Sequence, residues 1–211
     1  MFRKETGIGT RLLLLSGAVG SLLFIVVFIY LGQFQPGGAV LKHTVSTMVY
    51  GRQGGLQIGS FLVSGTLFLL FAMGVYKALV SERRRLIALQ FATAGTGLVL
   101  MGIFPTHIGY GSVPLTAWIH HGCALALFVS LPLACYRLIP ELRKYGHSRM
   151  AEFSSRALPG VLMFFVFTVL GIFNVQPFSE GIGIFQRLAI GIGFTWVAVV
   201  SLFFTKVKWR D

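Results

Sequence analysis

Stretches free of Asp, Glu, Lys and Arg organise this chain more clearly than any periodicity inside them. Charge is missing from 12–41, 53–76, 86–136, 157–179 and 188–205. A helix crossing a bilayer needs about 20 predominantly apolar residues, so four of these stretches predict one crossing helix each. The stretch 86–136 is long enough for two. The predicted spans lie near 12–32, 57–79, 86–105, 117–138, 159–176 and 184–205. Little chain is left for anything else. The expected fold is therefore all-α: a polytopic integral membrane bundle of six transmembrane helices, with 1–211 forming one domain.

Composition agrees, because 55% of the 211 residues are hydrophobic and 11% are charged, against about 25% charged in an ordinary soluble domain. The formal net charge of +12 raises the question of nucleic acid, and its placement answers it. Arg3, Lys4, Arg11, Lys77, Arg83, Arg84, Arg85, Arg137, Arg143, Lys144, Arg149, Arg156, Lys206, Lys208 and Arg210 fall on one side of the predicted spans; only Lys42, Arg52 and Arg187 fall on the other. Basic residues collect on the cytoplasmic side, so both termini are expected in the cytoplasm. The same clusters can touch anionic head groups. No aromatic-interleaved platform accompanies them, which argues against nucleic acid. Leu12–Tyr30 is too long for a signal-peptide core and lacks a small-residue cleavage site after it, so it is expected to stay as an anchor.

The connections carry the polar residues. Pro36-Gly37-Gly38 should break the first helix, and Val40–Tyr50 mixes apolar and hydroxyl residues, which suits an ordered interfacial segment over the mouths of spans three, four and six. Ser60, Ser64 and Gly65 in span two, and Ala92, Gly95 and Thr96 in span three, are small residues that let helices approach closely. Pro132 should kink the inner half of span four. The segment 137–158 reads as a basic inward loop, with span five starting at Pro159.

Candidate chemistry gathers on the side poor in basic residues: His43, Ser46, His107, His120, His121, Glu180, Gln186 and Arg187. Ionisable groups at membrane depth are costly and point to function by default. Adjacent His120 and His121 diverge by about 100° on a helix, so at most one faces the bundle. His43, His107 and one of the pair could offer three zinc ligands, but no local ligand spacing accompanies them, and no metal is expected. Only span four carries histidines, which disfavours bis-histidine haem. Ser46 with His43 is a weak nucleophile–base pair whose orienting acid would have to be Glu180. Cys123 and Cys135 sit twelve residues apart in one span, about 18 Å along a helix, too far to bridge. Arg187 opens a helix with no further charge until Lys206. It can snorkel, pair with Glu180 or a helix C-terminus, or hold an anionic group bidentately; the last is the expectation adopted, with Gln186 or a span-four histidine nearby.

Several of these residues stand in a recognisable order. Lys42-His-Thr-Val-Ser-Thr-Met-Val-Tyr-Gly51, Gly54-Gly-Leu-Gln57, Phe61-Leu-Val-Ser-Gly-Thr-Leu67, Phe71-Ala-Met-Gly74, Gly102-Ile-Phe-Pro105, a histidine opening span four and Phe185-Gln-Arg-Leu188 together resemble the domain-of-unknown-function 998 family of prokaryotic membrane proteins. The resemblance covers nearly the whole chain. It implies six spans and no established activity. Family members often carry acidic residues where this chain has Thr47 and His107, which weakens any carboxylate-based mechanism. The matching positions share one side of the membrane and suggest an outward vestibule there. The expected function is binding of a small or lipidic ligand in that vestibule, or docking of a partner membrane subunit, in a cell inner or plasma membrane. An intramembrane hydrolase or metalloenzyme acting on lipid head groups, and a transporter or channel, are the alternatives. The sequence specifies no cofactor, and the expected partners are membrane lipids.

Overall fold

A computed structural model of the chain describes residues 7–35, 39–107 and 112–207. Pro36, Gly37 and Gly38, residues 108–111 of the loop before span four, and the basic residues Arg3, Lys4, Lys208 and Arg210 lie outside the described residues.

Among the described residues the helices are α1 (Ile8–Gly32), α2 (Ala39–Lys42), α3 (Gly54–Ala78), α4 (Arg84–Ile103), α5 (Leu115–Lys144), α6 (Ser148–Ile172) and α7 (Ile182–Lys206), with 3-10 turns at Val45–Tyr50 and Phe178–Gly181. All but α2 are long and apolar enough to cross a membrane, which gives six. In hydrocarbon every backbone polar group must be paired within the protein, and a helix does this within its own segment. Sequential long helices pack on one another and α7 closes back on α1, forming a ring. With six crossings the start of α1 and the end of α7 lie at the same end, called proximal here. The opposite, distal end carries Lys42, Arg52 and Arg187 as its described basic residues.

The middle of the ring is aromatic. Phe194 of α7 lies 5.1 Å from both Phe24 of α1 and Phe68 of α3, centroid to centroid. Trp196 stacks on Phe91 of α4 at 5.9 Å, and Phe91 meets Phe71 at 4.8 Å. Since lipid tails are as apolar as Leu, dispersion and interhelical hydrogen bonds must hold the ring. Small residues make both available. A Cβ on Gly65 would stand 2.7 Å from the Gly95 carbonyl oxygen, and one on Gly95 2.8 Å from that of Gly65, so α3 and α4 cross backbone to backbone. Ser64 Oγ donates to Gly20 O at 2.9 Å. Ser201 Oγ donates to Leu14 O at 2.5 Å and accepts from the Ala18 N–H at 2.9 Å, joining α7 to the α1 ladder.

The expected basic loop 137–158 is almost entirely helical. Only Tyr145–His147 connect α5 to α6, and Gly146, at φ +79°, allows the reversal. The His147 N–H bonds Leu142 O at 2.8 Å and the Gly146 N–H bonds Arg143 O at 3.1 Å, the hydrogen-bond pair of a Schellman cap. Asn174 closes α6 the same way at φ 57°, with Val175 N–H on Leu170 O and its own N–H on Gly171 O, both at 3.0 Å. Pro159, expected to start a span, lies inside α6, and α5 runs through Pro132 and Pro140.

Candidate functional site

Between α1 and α3 the chain forms a strap, residues 39–53, that crosses the distal end. Its buried residues are Val45 and Met48. It rests on α7, α3 and α1, where the sequence placed it over spans three, four and six. Its reach toward α4 is the hydrogen bond from the Tyr50 hydroxyl to Thr106 O.

Arg187 and Gln186 pin the first half of the strap. Arg187 is 8% exposed, and its Nη1 donates to Val40 O at 2.6 Å, His43 O at 2.7 Å and Gly183 O at 2.9 Å. Nη2 donates to Gln35 Oε1 at 3.2 Å. A cation on carbonyls left unpaired where α2 ends is a favourable helix-terminus interaction. Among the three roles open to Arg187 in the sequence, these contacts are those of the helix C-terminus pairing. Glu180, exposed in its 3-10 turn, is not among the acceptors. Gln186 Oε1 accepts the Val45 N–H at 2.6 Å. Gly183 is needed here, since a Cβ would stand 2.4 Å from Val40 O and 2.5 Å from His43 O.

The second half of the strap leads into a polar cluster with the opposite character. Gln57, in the first turn of α3, is 0% exposed, and neither its Oε1 nor its Nε2 has a partner. His120, in the second turn of α5, is 1% exposed. Its Nδ1 lies 2.8 Å from Phe104 O, so Nδ1 carries the proton, and in the neutral ring Nε2 is an acceptor. That Nε2 is unpartnered, as are His107 Nε2 and Gln53 Oε1. The Phe61 ring, one turn below Gln57 on α3, stands edge-on to His120 at 6.2 Å. Gly102 fits against Phe61 and Leu62 where α4 passes between α3 and α5. Buried polar groups cost about 1–3 kcal/mol each when unpaired; Gln53, Gln57, His107 and His120 carry such atoms toward the distal end, and Ser21 and Gln90 carry them elsewhere in the bundle.

Other candidates stay outside this cluster. His121 is exposed, edge-on to His120 at 5.9 Å. His43 is exposed and contributes its carbonyl; Ser46 is half-buried, and no hydrogen bond joins the two side chains. Among the described residues no three of His, Cys, Asp and Glu converge as metal ligands. Cys123 and Cys135 are free thiols. Nothing in the sequence singles out Gln53, Gln35 or Gly183 chemically, and Gln57 stands only within the motif Gly54-Gly-Leu-Gln57. For Gln57 a signal existed, because Gln57, Ser60 and Ser64 recur at spacings of three and four on the face that the small residues mark as inward.

A family model for proteins of unknown function, domain 998, matches residues 18–202. The chain belongs to that family. Neither the curated proteins nor the solved structures give a match. The family carries no established activity, so the distal cluster must be read on its own chemistry.

Proposed function

We propose that this multi-pass membrane protein is a binding protein whose distal cluster, centred on Gln57 and His120, takes a neutral, hydroxyl-bearing lipid head group. The reading rests on one observation: two fully buried side chains, from α3 and α5, present an unpaired amide and an unpaired imidazole nitrogen. The amide both donates and accepts, and the neutral imidazole accepts. A hydroxyl answers each of these. An anionic ligand is disfavoured because the buried cation at this end, Arg187, is already engaged by the strap. Gln57 and His120 lie in the first and second turns of their helices, which suits the depth of a lipid head group.

The proposed topology places both termini in the cytoplasm of a prokaryotic cell and the distal end outside. The distribution of basic residues supports it, with Lys42, Arg52 and Arg187 the described basic residues at the distal end. In a background without native cysteines, a cysteine at Ser179 should label from outside and one at Ser148 should not; the reverse overturns the orientation. The binding reading is tested by native mass spectrometry after reconstitution with glucosyl diacylglycerol beside phosphatidylcholine. Wild type should retain the glycolipid selectively, and Gln57→Leu and His120→Phe should lose it. Equal retention by all three proteins refutes the assignment.

A further inference from the structure

Grooves open on the lipid-facing surface, and three of them, among the described residues, differ in charge. The groove between α4 and α5, about 440 Å³, is lined without any charged residue. The groove between α6 and α7 is lined by Arg156 and Arg187, but both guanidiniums are engaged, Arg156 with Glu152 at 2.5 Å and Arg187 with the carbonyls of Val40, His43 and Gly183. The third, between α3 and α4 in the proximal half, measures about 360 Å³. Leu69, Met73, Ala88 and Ala92 supply apolar walls, and Lys77 and Arg85 stand at its proximal mouth. Neither cation has an ion-pair partner among the described residues. Nearby Arg83 faces Glu141 at 3.8 Å and Arg84 lies over the Tyr76 ring at 5.2 Å, so the neighbouring basic side chains have a charged or aromatic partner, and among the described residues these two have neither.

We propose that this groove is a binding site for an anionic phospholipid of the proximal leaflet, its phosphate held by Lys77 and Arg85 and one acyl chain lying along α3 and α4. The dimensions fit. From Leu69 to Lys77 the groove follows about 12 Å of helix, within the roughly 15 Å that one leaflet contributes to a hydrocarbon core of about 30 Å. The chain replaces contacts that the small residues Ala88 and Ala92 leave open, and the phosphate answers two cations at the level where head groups lie. Backbone contact between Gly65 and Gly95 holds the two walls at a fixed separation farther along the crossing, so the groove is present before the lipid arrives.

The test uses the whole protein in nanodiscs containing equal phosphatidylglycerol and phosphatidylcholine, with lipid retained after detergent extraction counted by native mass spectrometry. Wild type should retain phosphatidylglycerol preferentially. Lys77→Gln with Arg85→Gln should weaken that retention about tenfold or more, whereas Arg143→Gln with Arg149→Gln, equal in charge but at residues that do not line the groove, should leave it unchanged. Ala92→Phe, which fills the groove and spares both cations, should lower it as well. Equal retention of the two lipids by wild type overturns the proposal, as does an undiminished complement in the Lys77/Arg85 variant. Loss of retention in the Arg143/Arg149 variant overturns it too, because it would show attraction to a charged face without a site. Displacement of the lipid by inorganic phosphate would overturn the acyl-chain half by showing that the cations select a free anion.

Discussion

The two halves of the distal strap meet the bundle on opposite terms. On the α7 side, Arg187 and Gln186 are buried and each has acceptors or donors from the strap within 2.6–2.7 Å. On the α3 and α5 side, Gln57 and His120 are buried more deeply, and their free polar atoms meet nothing. Both regions place costly groups in the same layer of the molecule. In the first the cost is offset by the chain itself, and the result is architecture. In the second it is not, and the proposed ligand is what would answer those atoms. The more conspicuous residue in the sequence, a lone arginine at the head of an apolar helix, thus serves the fold, and the less conspicuous glutamine marks the candidate site.

The largest expected effect comes from breaking the satisfied side. Gly183→Ala pushes a methyl group against two carbonyl oxygens, and Arg187→Leu leaves those carbonyls unpaired. Each should cost about 3 kcal/mol or more, read as a lower unfolding midpoint in detergent and as protease cleavage within 39–53. Arg187→Lys should restore part of the loss, since an ammonium can meet carbonyls but not in the fork geometry that also reaches Gln35. A wild-type midpoint in Gly183→Ala would show that the strap is not seated by this contact.

The unsatisfied side should respond with the opposite sign. Gln57→Leu removes two unpaired buried atoms and keeps the volume nearly constant, so in the absence of ligand it should raise stability by about 1–2 kcal/mol. The same change should abolish ligand retention. A variant that is destabilised in ligand-free detergent would mean that the amide has partners within the protein, and the contrast between the two halves would collapse.

How far the sequence could see follows the same division. Charge-free stretches mark all six spans because the bilayer imposes length and apolarity residue by residue. Helix ends were harder to place: α6 starts at Ser148, since basic residues near the membrane surface remain helical without being apolar. Of the site, His120 was visible as one of two histidines of which one should face inward, and the burial of His120 beside an exposed His121 follows that geometry. The strap's seating was not visible. It depends on Gly183 admitting two carbonyls to Arg187, and a glycine in a glycine-rich apolar helix carries no mark of that duty. Gln57 went unassigned because a single amide reads as neutral until its partners are counted in space.

The smallest effect lies where the two halves join. Tyr50 donates its hydroxyl to Thr106 O, tying the strap to the coil after α4 and hence to the segment that carries Phe104 and His107. Tyr50→Phe removes one hydrogen bond from a half-exposed side chain and keeps the ring, so the stability loss should be about 1 kcal/mol or less. The Thr106 carbonyl can then turn to water. The consequence for the cluster should be larger than for the fold. With this tie gone the strap's side-chain hydrogen bonds to the bundle, among the described residues, are those of Arg187 and Gln186, so its second half, seated on α3 by packing, can lift more readily. Hydrogen exchange should rise at 46–53 and stay low at 40–45, while glycolipid dissociation from the reconstituted protein quickens. If exchange rises uniformly across 40–53, the strap opens as one unit, and the α7 anchor and the Gln57 cluster are not the separate regions that their hydrogen bonding describes.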